Sequence, residues 1–289
     1  MSIRVGPLAV VAITLVLLAM PAVAQEKVGG VFGQGPEVFT LATGSPGELG
    51  LLKALGEAFC QEQGSQTSLK WIKAGSGESL QLLKDKKVDL IMVHAPPTAE
   101  KQAVQDGWAT RRTLIGSNEF YIVGPMDDPA QINEAKSAID AYQRIAAAKA
   151  KFFSRGDNSG THNKEMGIWQ EAGLKPDGDW YVVTRDFMIA TLKRANNEKG
   201  YFMVDSSTWV AEKKNLPNLK VLFKGDKAMV NTYHALAQPT GATPGAGTAA
   251  RFIDFVAGEL GQKIIREFGQ DQHGEGLYND AEYAKKYDD

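Results

Sequence analysis

Lys151-Phe152-Phe153-Ser154-Arg155-Gly156-Asp157-Asn158-Ser159-Gly160-Thr161-His162 decides the reading of this 289-residue chain. Lys151-Phe152-Phe153 reads as a short strand, and a helix is expected over residues 162–172. The turn between them is rich in Gly and Ser, which lets backbone amides point inward. The helix start adds unpaired N–H groups and a partial positive charge. Arg155 supplies a permanent charge and a planar fork of donors. Ser159 and Thr161 add hydroxyls. Together these suit a tetrahedral oxyanion. An ordinary strand-to-helix turn, with Asp157 or Ser159 as N-cap and Arg155 in solvent, fits the composition equally well.

Two further loops have the same character. Thr43-Gly44-Ser45-Pro46-Gly47 follows the apolar run Val38-Phe39-Thr40-Leu41-Ala42. Gly75-Ser76-Gly77 follows the alternating run Ser68-Leu69-Lys70-Trp71-Ile72. Each precedes a helical pattern, over residues 48–63 and 78–84. Open α/β sheets bind ligands beyond the carboxyl ends of parallel strands. Three such loops, one with an arginine, point to an anion site. Its candidate residues are Thr43, Gly44, Ser45, Ser76, Gly77, Arg155, Ser159, Gly160 and Thr161. No other Arg or Lys lies within the three loops.

The rest of the chain continues the strand–helix alternation. Val88-Asp89-Leu90-Ile91-Met92-Val93 reads as a buried strand that ends at His94, which could line a cleft or bond to backbone as a structural residue. Strands are also expected at residues 120–124, 201–204, 220–223 and 232–238. Helices are expected at 98–106, 137–149, 188–196, 249–257 and 260–268. Residues 25–36 are Gly-rich and read as a loose leader, and the segment from Gln270 as irregular. The pattern implies an α/β protein with mainly parallel sheets flanked by helices.

Residues 1–24 have the form of a signal peptide. Arg4 is followed by an apolar run over residues 7–20 and the small-x-small site Ala22-Val23-Ala24. The run falls short of the roughly 20 residues that span a bilayer. Export to the periplasm or medium is expected, with cleavage near Ala24. The remainder, with 43% hydrophobic and 23% charged residues overall, is an ordinary globular composition. Formal charge is −2, and loss of Arg4 makes it one unit more negative. This excludes a general attraction to nucleic acid, so any positive potential must be local. The lone Cys60 forms no intramolecular disulfide and reads as a buried thiol on a helix face.

Enzyme and cofactor motifs are weak. Gly75-Ser76-Gly77-Glu78-Ser79-Leu80 lacks the third glycine of a dinucleotide fingerprint, and no Walker A or G-x-S-x-G pattern occurs. His94, His162, His234 and His273 lack metal-ligand spacing. No cofactor and no free-cation site is expected.

The sequence resembles the tungstate-binding solute receptors of ABC importers, within the phosphate-receptor-like group of periplasmic binding proteins. The resemblance runs through most of the mature chain. It is carried by Leu41-Ala42-Thr43, by Val88-Asp89-Leu90-Ile91-Met92-Val93-His94-Ala95-Pro96 and by Asn118-Glu119-Phe120-Tyr121-Ile122-Val123-Gly124-Pro125. Asp127-Asp128-Pro129-Ala130, Ile145-Ala146-Ala147-Ala148-Lys149-Ala150, Phe153 through His162, and Asn197-Glu198-Lys199-Gly200-Tyr201 extend it. The resemblance implies a two-lobed, type II-like binding-protein fold with paired crossover strands, closing on its ligand by a hinge. Lobe one would be residues 37–117 plus 230–289, and lobe two residues 118–229. It also implies an ABC permease as partner, a monomeric receptor and no catalysis. Thr43, Arg155, Ser159 and Thr161 match the family's oxyanion-contacting motifs. The family's first loop is a run of threonines ending in Ser, whereas here Thr43 precedes Gly44, Ser45 and Pro46. Gly44 keeps a backbone donor but lacks the hydroxyl, and Pro46 lacks an N–H. Tungstate leads as ligand, with molybdate, another small anion and an organic acid as alternatives. An exported hydrolase using Ser45 or Ser76 is the rival from another class, and it lacks an evident base.

Overall fold

The computed structural model describes residues 1–2 and 27–288, so the signal-peptide expectation falls largely outside the described residues. Eleven strands occur among them. They are β1 Val28–Gly33, β2 Glu37–Thr43, β3 Thr67–Lys73, β4 Leu90–Val93, β5 Thr110–Pro125, β6 Phe152–Ser154, β7 Tyr181–Val183, β8 Tyr201–Asp205, β9 Leu219–Phe223, β10 Val230–Ala237 and β11 Asn279–Asp280.

The strands form one curled mixed sheet flanked by helices, in the order β1-β3-β2-β4-β10-β5-β8-β6-β7, with β9 and β11 also on β5. In the first half, β2 runs parallel to β3 and β4. In the second, β6 runs parallel to β7 and β8. Of these parallel strands, β4, β6 and β8 are buried along their whole length because helices cover the sheet. β5 joins the halves. Its early residues pair antiparallel with β10, in the register Asn231↔Asn118 and Thr232↔Ser117. Its later residues pair with β8 and β9.

Apolar burial follows the same division. One cluster, including Phe120, Tyr142, Phe152, Phe153, Trp169 and Phe202, draws its buried members from residues 120–229. Two others, built on residues such as Phe39, Phe59, Leu69 and Phe252, or Ile72, Ile91 and Val93, lie in the first half apart from Val210. Cys60 is buried as expected, with its thiol 3.6 Å from the Phe32 carbonyl oxygen.

Several expectations are corrected. The Gly-rich leader contains β1, an edge strand antiparallel to β3. Its glycines serve close packing rather than looseness, since a Cβ at Gly29 would collide with the Trp71 ring. The helix expected over 48–63 is two helices, Ser45–Glu48 and Leu51–Glu62. Gly50 breaks it at φ 92, a left-handed conformation that glycine adopts without a Cβ penalty. β5 begins ten residues earlier than residue 120, because pairing with β10 overrides the polar sequence Thr110-Arg111-Arg112-Thr113. β7 and the helix Ser206–Glu212 were not expected. The C-terminal segment is ordered as well, with helices Gln270–His273 and Ala281–Ala284 and strand β11.

Candidate oxyanion site

Six of the nine candidate residues meet around one cavity where the two halves touch. Thr43 ends β2 and Gly44 and Ser45 follow it, Ser76 follows β3, and Arg155 and Ser159 follow β6. Pro46, Gly75, Met92, His94, Phe187 and Tyr233 complete the lining. The space is about 300 Å³, including its solvent-facing mouth. It therefore lies beyond the carboxyl ends of parallel strands from both halves.

Arg155 is the cation among the lining residues, and it is 4% exposed. Its Nε and Nη2 donate to Asp157 Oδ2 at 3.1 and 2.5 Å. Asp157 Oδ1 accepts from the Ser159 amide at 3.2 Å. Asp157 is therefore neither the helix cap nor a group turned to the cavity, since both oxygens organise their own loop. Ser159 caps the helix Gly160–Glu171, its Oγ accepting from the His162 amide at 3.2 Å. The Ser159 hydroxyl hydrogen remains for a ligand.

The first-half loops divide differently. Ser76 Oγ accepts from the His94 amide at 3.3 Å, so its hydrogen also remains for a ligand. Thr43 Oγ1 instead donates to the Met92 carbonyl at 2.7 Å, which fixes the end of β2 against β4. The Trp71 indole donates to the Thr43 carbonyl at 3.0 Å and packs beneath this loop. Ser45 Oγ lies 3.4 Å from Asp205 Oδ2 and donates across the halves. Burial raises the Asp205 carboxyl, and hydrogen bonds from the Thr208 amide and hydroxyl oppose that rise. Asn118 Nδ2 reaches the same carboxylate at 3.3 Å and accepts in turn, through Oδ1, from Asn231 at 2.8 Å. A buried polar chain thus runs from the crossover strands to the first loop.

His94 lines the cavity and is held neutral. Burial, then the charges of Arg155 and Lys164, push its pKa down to about 3.

Gly77, Gly160 and Thr161 do not line the cavity. The two glycines seat the halves on each other. A Cβ at Gly77 would lie 2.6 Å from the Asn158 carbonyl oxygen, and one at Gly160 would collide with the His94 carbonyl and ring. Thr161 is buried with its hydroxyl unpaired. His94, Phe187, Tyr233 and Asp205 join the site through tertiary contact. His94 ends a buried strand, and Phe187 occupies an N-cap position that usually takes Ser, Thr, Asp or Asn. Those are the signals the sequence offered.

A model described as a PBP superfamily domain matches residues 30–259. This chain belongs to the PBP superfamily. Among relatives in that superfamily is the tungstate-binding protein TupA of Peptoclostridium acidaminophilum, 31% identical over 245 residues, which cover 83% of this chain and 84% of the relative. TupA of Campylobacter jejuni is 31% identical, covering 76% and 82%. The structure of the tungstate ABC transporter from Geobacter sulfurreducens superposes with a TM-score of 0.72 at 34% identity, covering 81% of this chain and all of that one. The tungstate-binding TupA of Desulfovibrio alaskensis gives a TM-score of 0.68 at 34% identity, covering 84% and 98%. These PBP-superfamily relatives are solute-binding proteins, and the curled mixed sheet flanked by helices in this member is of their kind. No helix among the described residues is long and apolar enough to cross a membrane.

Proposed function

We propose that this protein is an exported solute-binding receptor that captures tungstate, or the similar molybdate, and delivers it to an ABC importer. The observation that carries the reading is the buried Arg155, fixed by Asp157 among the hydroxyls of Ser76 and Ser159 at the contact of two halves. The names of relatives that share over 30% of their residues with most of the chain support the same ligand.

The proposed binding set is Thr43, Gly44, Ser45, Ser76, Arg155 and Ser159. Gly77 and Gly160 contribute by letting the halves close. Lobe one comprises residues 28–117 plus 230–288, enlarged by β1, and lobe two residues 118–229. Closure is a hinge motion on β5 and β10. The receptor works as a monomer and performs no reaction. In support, Ser76 faces the His94 amide, and Ser45 faces a carboxylate that is already bonded to Thr208. Neither serine has the paired imidazole that a hydrolase nucleophile needs.

Selectivity follows from the hydrogen-bond inventory. Asp157 uses both oxygens within its own loop, so it offers no acceptor to a protonated anion. A ligand hydroxyl without a partner in a closed site costs roughly 1–3 kcal/mol. Fully deprotonated dianions are therefore preferred over hydrogen phosphate. Thermal melting with each anion tests the reading: tungstate should raise the midpoint as mass action requires, without turnover of ester substrates. No shift with any oxyanion would reject it.

A further inference from the structure

Phe187 is a wall residue of the cavity that no sequence motif explains. It is half-buried, and it belongs to none of the apolar clusters among the described residues. It stands at the N-cap of the helix Met188–Glu198 yet makes no capping bond there. A phenylalanine at that position costs helix stability relative to Ser or Asp. Neither core packing nor helix capping accounts for the ring.

Its surroundings do. Lys73 Nζ lies 4.4 Å from the ring centroid, Arg155 Cζ 5.5 Å and Lys27 Nζ 5.8 Å. All three are within the range in which a cation is drawn to an aromatic face. Arg155 comes from the same half as Phe187, whereas Lys27 and Lys73 come from the other. Lys73 is itself anchored, with Nζ 2.5 Å from Glu48 Oε1 and its amide donating to the Lys27 carbonyl at 2.9 Å. The ring thus bridges the halves between the cavity and solvent, gripped by a ligand-binding arginine on one side and an anchored lysine on the other.

We infer that Phe187 is the gate of the anion site, a ring clasped by Lys73 and Arg155 that must swing away before the anion leaves. This inference rests on the receptor reading above. A gate limits passage in both directions, whereas a purely structural residue does not. Removing the ring should therefore accelerate dissociation and association together, so that affinity falls less than the off-rate rises. Preference among anions should hold, because the donors inside are unchanged.

Stopped-flow tryptophan fluorescence with tungstate measures both rates, Trp71 serving as reporter beneath the first loop. Phe187→Ala should raise the off-rate at least tenfold and the on-rate as well, Phe187→Tyr should stay within about twofold of wild type, and Lys73→Gln should fall between. An unchanged off-rate in Phe187→Ala, with tungstate still bound, would overturn the gate and leave the receptor reading standing. A faster off-rate with an unchanged on-rate would make the ring a ligand contact and overturn it too. If the wild-type chain takes up no oxyanion, the receptor reading fails, and the clasp is read from amide exchange without anion. Exchange at residues 75–77 and 158–159, where the halves touch, should then be faster in Phe187→Ala; equal exchange would overturn the clasp.

Discussion

The Asp157 carboxylate grips the Arg155 guanidinium from the side, with Oδ2 accepting from both Nε and Nη2. The pair is two residues apart, so the loop carries its own orienting group. Arg155→Ala removes a charge-assisted contact from a desolvated site and should cost several kcal/mol of anion affinity. Arg155→Lys should recover only part, because a point charge cannot hold Asp157 and an anion with one fork. Asp157→Ala sets two effects against each other: loss of orientation weakens binding, and loss of a nearby negative charge strengthens it. Hydrogen bonds to charged groups contribute about 1.5–3 kcal/mol, so orientation should win and affinity should drop about tenfold. Tighter binding in Asp157→Ala, by calorimetry, would show that repulsion dominates.

Gly160 should matter for closure rather than for donation. An added Cβ would collide with the His94 carbonyl, which is backbone and cannot rotate away. Gly160→Ala should hold the halves apart, cutting anion affinity at least tenfold. Small-angle scattering with saturating anion should find a larger radius of gyration than for wild type; equal radii and equal affinity would contradict this.

The fold was legible where sequence and tertiary demands coincide. β2, β4, β6 and β8 are runs of mainly apolar residues, and the turns after β2 and β6 carry Gly and Ser, so strand, turn and site were readable together there. The failures have particular causes. β1 was hidden because its glycines resemble a linker, when they are small to admit Trp71. Polar residues hid the first part of β5, whose strand conformation comes from β10. Six candidate residues converged because loop chemistry is local. Phe187, Tyr233 and Asp205 were not found, because their place at the site depends on how the two halves meet.

Stability should respond to pH through two buried groups of opposite sign. Burial holds the Glu165 carboxyl up at about 7, against hydrogen bonds from Tyr181 and Trp169. His94 is held down at about 3. From the ordinary 4.5 up to about 7, the folded chain keeps a Glu165 proton that the unfolded chain has lost, so this group's contribution falls as pH rises. From about 3 to the ordinary 6.5, the unfolded chain holds a His94 proton that the folded one excludes, so that contribution rises with pH. The two oppose each other between pH 4.5 and 6.5. Glu165→Gln removes one of them. Relative to wild type, its unfolding free energy should climb by about 3 kcal/mol at most between pH 4.5 and 7, at about 1.4 kcal/mol per unit. Parallel curves in urea titrations across that range would contradict the assignment.

A largely buried square of polar contacts ties the C-terminal segment to the first half. His234 Nδ1 and Nε2 lie 3.0 Å from Glu100 and Asp288, and Arg112 bridges the same two carboxylates at 2.9 and 3.1 Å. Glu100 is fully buried and also accepts from the Ala95 amide at 3.0 Å, beside His94. Glu100→Ala takes the fully buried carboxylate from Arg112 and His234, leaving them Asp288 alone, and should cost about 3–5 kcal/mol of stability. Asp288→Ala removes a more exposed corner and should cost about 1 kcal/mol or less. Equal losses by chemical denaturation would contradict the square as drawn.

Calorimetric titration of the mature chain with tungstate, molybdate, phosphate and small carboxylates, at one ionic strength and neutral pH, tests the central claim most directly. The account predicts one tungstate or molybdate per chain, bound at least tenfold more tightly than phosphate or any carboxylate, with Arg155→Ala abolishing the difference. Tighter binding of phosphate or a carboxylate, or no binding of tungstate at all, would contradict it.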